Sequence, residues 1–239
     1  MAFLTARWSN LCLVTYAVPP AMLAARVPPG LELDTRGGEA YVSLVAFDFL
    51  RTRVLGIPWP GYRDFPEINL RFYVRDPARD HRGVVFVREF VPKRLVAWLA
   101  RAIYGEPYVR ARMSSRVTAD DRAIVVEHAL TYGGRENRLR VTADAACAVP
   151  GDTSDEHFFK EHQWGYSGGR RGDRCVRYEV RHPAWACYRV TGHEIDWDFG
   201  AVYGPELAGL NGRTPCSVVL AAGSEISVHP KGTLAATGA

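Results

Sequence analysis

The chain has 239 residues, 47% apolar, 23% charged and 11% aromatic, which excludes a disordered or collagen-like polypeptide and suits one large domain or two small ones. Its net charge of +4 rests almost wholly on arginine, since Lys93, Lys160 and Lys231 are the only lysines, and so small an excess argues against a nucleic-acid partner. Five cysteines without a C-x-x-C pair fit a reducing compartment, and no apolar run reaches the roughly 18 residues of a membrane span, so the expectation is a cytoplasmic protein with no membrane partner.

Leu11 to Val18 reads as a first strand, and Pro19 and Pro20 keep the stretch to Ala25 from imitating a signal peptide. Pro20 to Ala25 suits a short helix that Val27-Pro28-Pro29-Gly30 stops. Strands follow at Ala40 to Leu50, Ile68 to Val74 and Val84 to Phe90. Lys93 to Tyr104 predicts a helix ending at Gly105, with Leu95, Trp98, Leu99 and Ile103 packed inward. Further strands are predicted at Ser114 to Thr118, Ala123 to Tyr132 and Leu139 to Ala146. A third helix, capped by Thr153 or Ser154, should run through Phe158 and Phe159 to Trp164, before a flexible turn at Gly168 to Asp173. Strands at Cys175 to Arg181, Ala186 to Thr191 and Cys216 to Ala222, with a helix over Phe199 to Leu210, complete one β-rich domain over 1–229. Residues 230–239 read as a flexible tail.

Within Phe65 to Arg75 strict alternation puts Glu67, Asn69, Arg71, Tyr73 and Arg75 on one face of a strand. Inside a barrel the glutamate could move a proton and the arginine hold an anion. Half-exposed antiparallel strands offer the plainer account, a solvated face. Tyr108, Arg110 and Arg112 alternate likewise, as an anion clamp or as edge charges that discourage aggregation. His157 and His162, five residues apart, miss the spacing of a helical metal site, and Glu156 with Lys160 reads as an ion pair on a solvated helix face. His193, Glu194, Asp196 and Asp198 read as a hydrated turn rather than cation ligands. No nucleotide-binding glycine loop or nucleophile elbow is present, and no metal or cofactor is expected.

Five segments in order, Asn10-Leu11-Cys12-Leu13-Val14-Thr15-Tyr16, Val27-Pro28-Pro29-Gly30-Leu31-Glu32-Leu33-Asp34, Ala40-Tyr41-Val42-Ser43-Leu44-Val45, Phe65-Pro66-Glu67-Ile68-Asn69-Leu70-Arg71 and Pro107-Tyr108-Val109-Arg110-Ala111-Arg112-Met113, resemble the YqjF-like family of uncharacterised bacterial proteins, domain of unknown function 2071. That family is similar in turn to the acetoacetate decarboxylases. The resemblance implies a mainly β fold with a few helices, an acetoacetate-decarboxylase-like antiparallel β-barrel or cone around an internal cavity. Those decarboxylases form a Schiff base through a lysine after a proline, activated by a second lysine, the handling of an amine that cationic neighbours make nucleophilic. Tyr108 and Val109 stand in those places here, and a phenol cannot form an imine. Glu67 matches the family's catalytic glutamate, whereas the N-terminal arginine falls nearest Ser9, with Arg7 an approximate substitute.

Two readings stay open. In one the chain acts on a small carboxylate or carbonyl compound by lyase- or hydrolase-like acid–base chemistry without a Schiff-base lysine, with Glu67 and Tyr108 catalytic and Arg71, Arg110, Asn69 and Tyr73 binding substrate. In the other it is a binding or structural module that kept the barrel and lost the chemistry. Self-association into a homo-oligomer is left open.

Overall fold

The computed structural model describes residues 2–151, 154–168 and 175–234. In chain order its elements are β1 (Leu4–Val18), β2 (Glu32–Leu33), β3 (Ala40–Val54), β4 (Phe65–Asp76), β5 (His81–Val91), α1 (Arg94–Tyr104), β6 (Tyr108–Arg110), β7 (Arg112–Ala119), β8 (Ala123–Tyr132), β9 (Arg135–Ala148), α2 (Asp155–Lys160), β10 (Trp164–Gly168), β11 (Cys175–Arg181), β12 (Cys187–Asp196), α3 (Phe199–Tyr203), β13 (Ser217–Ala221) and β14 (Glu225–Leu234).

Strands β1, β3, β4, β5, β10, β11 and β14 pair in that order, and β14 returns to β1, so seven strands close a barrel. The core β3–β4–β5 is antiparallel as predicted. Strands β10 and β6 run parallel to β5, so the barrel is mixed rather than antiparallel throughout. Strand β1 serves two sheets: Leu4 to Arg7 pair with β14, whereas Leu11 to Thr15 pair with β13, from which β12, β9, β8 and β7 continue. A bulge separates the two halves, with Asn10 at φ 55 and its amide donating to Asp48 Oδ2 at 2.9 Å. Asparagine tolerates that left-handed backbone better than most residues.

The second sheet covers one side of the barrel, and β4 lies between two apolar clusters. Ile68, Leu70, Phe72 and Val74 pack with Val126, Leu130, Leu139 and Val141, so the alternate face of β4 turns into the barrel. Glu67, Asn69, Arg71 and Tyr73 are accordingly all buried, and Arg75, beyond the barrel interior, is exposed and paired with Glu32. The polar face of this strand is internal.

Several expectations change. Trp98 is 64% exposed, and Ala97 is the buried residue on that part of α1, because this helix covers a cavity opening instead of packing on closed sheet. The side chains of residues 100–104 lie outside the described set. The third helix stops at Lys160 and Trp164 opens β10, where pairing with β5 and β11 takes over the backbone groups a longer helix would have used. Ser154 does cap α2, its Oγ accepting from His157 N at 3.1 Å. Lys160 is buried beside Glu161, not solvated on a polar face. The Phe199 to Leu210 helix breaks at Gly204-Pro205 into α3 and a 3-10 turn, and Pro20 to Arg26 forms two short 3-10 turns. His193, Glu194 and Asp196 belong to β12 rather than a turn; Asp198 caps α3, accepting from Ala201 N at 3.0 Å. Strand β14 runs through Leu234, into the stretch read as a tail, because β11 offers it an edge to pair with. Most of the glycine-rich turn, residues 169–174, lies outside the described residues.

Candidate functional site

A cavity of about 280 Å³ lies inside the barrel, its polar floor supplied by β4, β5, β6 and β11 and by the turn after α1. On β4, Glu67 Oε2 accepts from the Tyr108 hydroxyl at 2.8 Å and Oε1 accepts from Asn69 Nδ2 at 3.1 Å. Burial pushes the Glu67 carboxyl up to about 7 against the pull of those two donors. Alternation gave Glu67 and Asn69 a shared face whose plainer account was solvation; in the fold both line the cavity with Tyr108, which the short β6 brings opposite Glu89 in the ladder.

Two further carboxyls share the floor. Glu89 enters through an irregularity in the β4–β5 ladder between Leu70 and Arg71. Val87 packs outward and Arg88 reaches the Val202 carbonyl, after which Glu89 faces inward and is buried. Glu106 follows Gly105, whose φ of 70 ends α1 in the left-handed region open to glycine. Its turn is anchored by Tyr108 N on the Glu106 carbonyl at 2.9 Å and Glu89 N on the Pro107 carbonyl at 3.2 Å. Burial, with Glu67 adding its charge and Tyr178 partly countering both, pushes Glu106 up to about 8. Glu89 lies well above the carboxylate range, held there by burial and then by Glu106 and Glu67. Tyr178 reaches the floor because it faces Gly165 across the β10–β11 ladder; a Cβ there would sit 2.2 Å from its ring.

Alternation could not reveal Glu89, because a ladder irregularity reverses which residues point inward, nor Glu106, which lies in a turn. The one sequence cue to Glu106 is its place before Pro107, in the segment that resembles the decarboxylase lysine motif.

The other anticipated residues are placed differently. Arg71 lines the cavity, yet its Nη2 donates to the Phe159 carbonyl at 2.8 Å and its charge bears on His162 and His182, not on the three glutamates. Tyr73 is spent on Ser43 and on the same Phe159 carbonyl, tying α2 to the barrel. Arg110 is exposed, with Nε 3.4 Å from the Pro92 carbonyl, since β6 is only three residues long and has no further ladder to carry that side chain inward. Arg7 pairs with Glu225 at 3.9 Å, and its neighbour Trp8 lines the cavity. No lysine is among the described lining residues, and among the described residues no group of three or more His, Cys, Asp or Glu is placed to hold a metal ion.

The upper walls are apolar, formed by Phe47, Phe49 and Phe65, and Trp59 and Trp98 stand at the rim, 47% and 64% exposed. An apolar shaft over convergent polar groups is the usual form of a small-molecule site.

The fold is that of the acetoacetate decarboxylase-like proteins. The acetoacetate decarboxylase of Legionella pneumophila superposes with a TM-score of 0.65 at 13% identity, over 98% of this chain and 88% of that one. The enduracididine biosynthesis enzyme MppR, in complex with the condensation product of pyruvate and imidazole 4-carboxaldehyde, superposes at 0.69 with 14% identity, over 100% and 92%. An acetoacetate decarboxylase-like enzyme of Sphingomonas wittichii RW1 gives 0.67 at 12% identity, over 98% and 94%. Residues 5–225 match domain of unknown function 2071, a family of uncharacterised conserved proteins, and the chain belongs to it. It is 35% identical over 114 residues to the uncharacterised protein YqjF of Bacillus subtilis strain 168; the match covers 47% of this chain and 46% of that protein, so it spans about half of the relative.

Proposed function

We propose that the cavity binds a small carbonyl or carboxyl compound and moves a proton at it by acid–base chemistry, without an imine to lysine. The observation that carries this reading is the Tyr108 hydroxyl 2.8 Å from a buried Glu67 whose carboxyl is poised near neutrality. Such a group can take a proton at neutral pH and give it back. Glu67 as carboxylate removes the proton from the carbon next to the carbonyl while a protonated Glu106 or Glu89 donates to the carbonyl oxygen, leaving a neutral enol. Reversal returns both protons, so the step needs no other reactant. Tyr108 holds Glu67 in place and stabilises its charged form.

Exchange of α-hydrogen for deuterium on a methyl ketone in D2O, followed by proton NMR, tests the reading. The protein should accelerate exchange and Glu67→Gln should lose about 100- to 10,000-fold of that rate. Binding without exchange would leave a receptor site. Borohydride reduction after incubation with acetoacetate or pyruvate should leave no adduct by mass spectrometry, and a stoichiometric adduct on Lys93 or Lys160 would overturn the imine-free part.

A further inference from the structure

The floor of the cavity holds more carboxyl oxygens than the side chains around it supply donors for. Glu89 and Glu106 are 2% and 4% exposed; Glu89 Oε2 and Asn69 Oδ1 lack a hydrogen-bond partner, and the Glu106 carboxyl has only the Tyr178 hydroxyl to counter its burial. All three side chains line the cavity. Buried polar atoms in this state call for an explanation, and at the floor of a cavity a bound molecule supplies one. Neither Arg71 nor any other described cation acts on these three carboxyls; what surrounds them is one another, Tyr108 and Tyr178. Three like charges at such close quarters in an apolar enclosure cannot all ionise, so the floor offers carboxyl O–H groups that need an acceptor. A ligand carboxylate arriving there would meet ionisable groups of its own sign with no counter-charge.

Above this floor the walls carry Phe47, Phe49 and Phe65, and the rim carries Trp59 from the β3–β4 connection and Trp98 from α1. Both tryptophans are largely exposed. A helix that turns tryptophan to solvent beside an opening gives an apolar ligand something to lie against on its way in.

From this juxtaposition we infer that the cavity selects neutral carbonyl compounds with an apolar tail, the oxygen accepting from Glu89 or Glu106 at the floor and the tail lying between Trp59 and Trp98, and that it rejects the corresponding carboxylates. The inference rests on the proposed function and narrows it from small carbonyl or carboxyl compounds to one class.

Isothermal titration calorimetry of the full chain with 2-heptanone, heptanoate, heptylamine and acetone at pH 7 tests it. 2-Heptanone should bind at least about tenfold more tightly than heptanoate or heptylamine, where each tenfold corresponds to about 1.4 kcal/mol, and acetone should bind more weakly for want of a tail. Trp98→Ala should weaken 2-heptanone and leave acetone unchanged. Heptanoate or heptylamine binding as tightly as the ketone, no binding of the ketone, or an unaltered ketone affinity in Trp98→Ala would each overturn the inference. Selective binding of 2-heptanone with no α-hydrogen exchange would refute the proton-transfer reading and leave the ligand class standing, so the two fail separately.

Discussion

Tyr108 and Asn69 donate to Glu67, yet burial outweighs both and leaves that carboxyl near neutrality. Desolvation thus tunes this residue more strongly than its partners do. Trp98 is governed by the opposite circumstance. Its indole stands in solvent at the cavity rim, so removing it deletes little packed surface. Trp98→Ala should change stability by no more than about 0.5 kcal/mol, as for ordinary surface substitutions, instead of the roughly 3–5 kcal/mol of a core tryptophan. Urea unfolding of the variant measures this, and a loss of several kcal/mol would place the indole in the core. The helical stripe with Leu95 and Leu99 was legible in the sequence, but an apolar stripe has the same spacing whether it faces packed side chains or the opening of a cavity.

Strand β4 was legible as an element because its period of two persists through Arg75. Its neighbour β5 was legible as a strand but not in its facing, since the irregularity near Arg71 turns Glu89 inward without leaving a mark on composition. Strand β10 was missed: five residues of Trp-Gly-Tyr-Ser-Gly have no clear period, and only their pairing with β5 on one side and β11 on the other makes them a strand. The contact of Gly165 with Tyr178 is a consequence of that pairing. Gly165→Ala should destabilise the protein by about 1–3 kcal/mol, the usual range for forcing extra volume into a packed site, and thermal unfolding should show the drop. An unchanged transition would mean that the Tyr178 ring moves aside freely.

Over the molecule as a whole, the buried carboxyls link stability to pH. Glu67 at about 7 and Glu106 at about 8 lie above the ordinary carboxylate value of 4.5, so between 4.5 and 8 the folded protein keeps protons that the unfolded chain has released. Stability from this source is therefore complete below the unfolded value and is lost as pH rises through 7 to 8. The unfolding temperature should fall from pH 6 to pH 9, by a free-energy change on the order of a few kcal/mol. Glu106→Gln should flatten the decline and melt higher than the parent at pH 9. Parallel pH profiles for the two proteins would show that Glu106 ionises normally.

The β-rich class and the shared strand face of Glu67 and Asn69 were already legible in alternation and in the resemblance of five segments, because a period of two and the order of turns are local properties of the chain. Closure of the barrel by β14, the inward turn of Glu89 and Glu106, the diversion of Arg71 to Phe159 and the exposure of Arg110 and Trp98 came from the packed structure. Each depends on what lies across a ladder or a cavity from the residue, often a hundred positions away, and local sequence pattern carries no record of such distant neighbours.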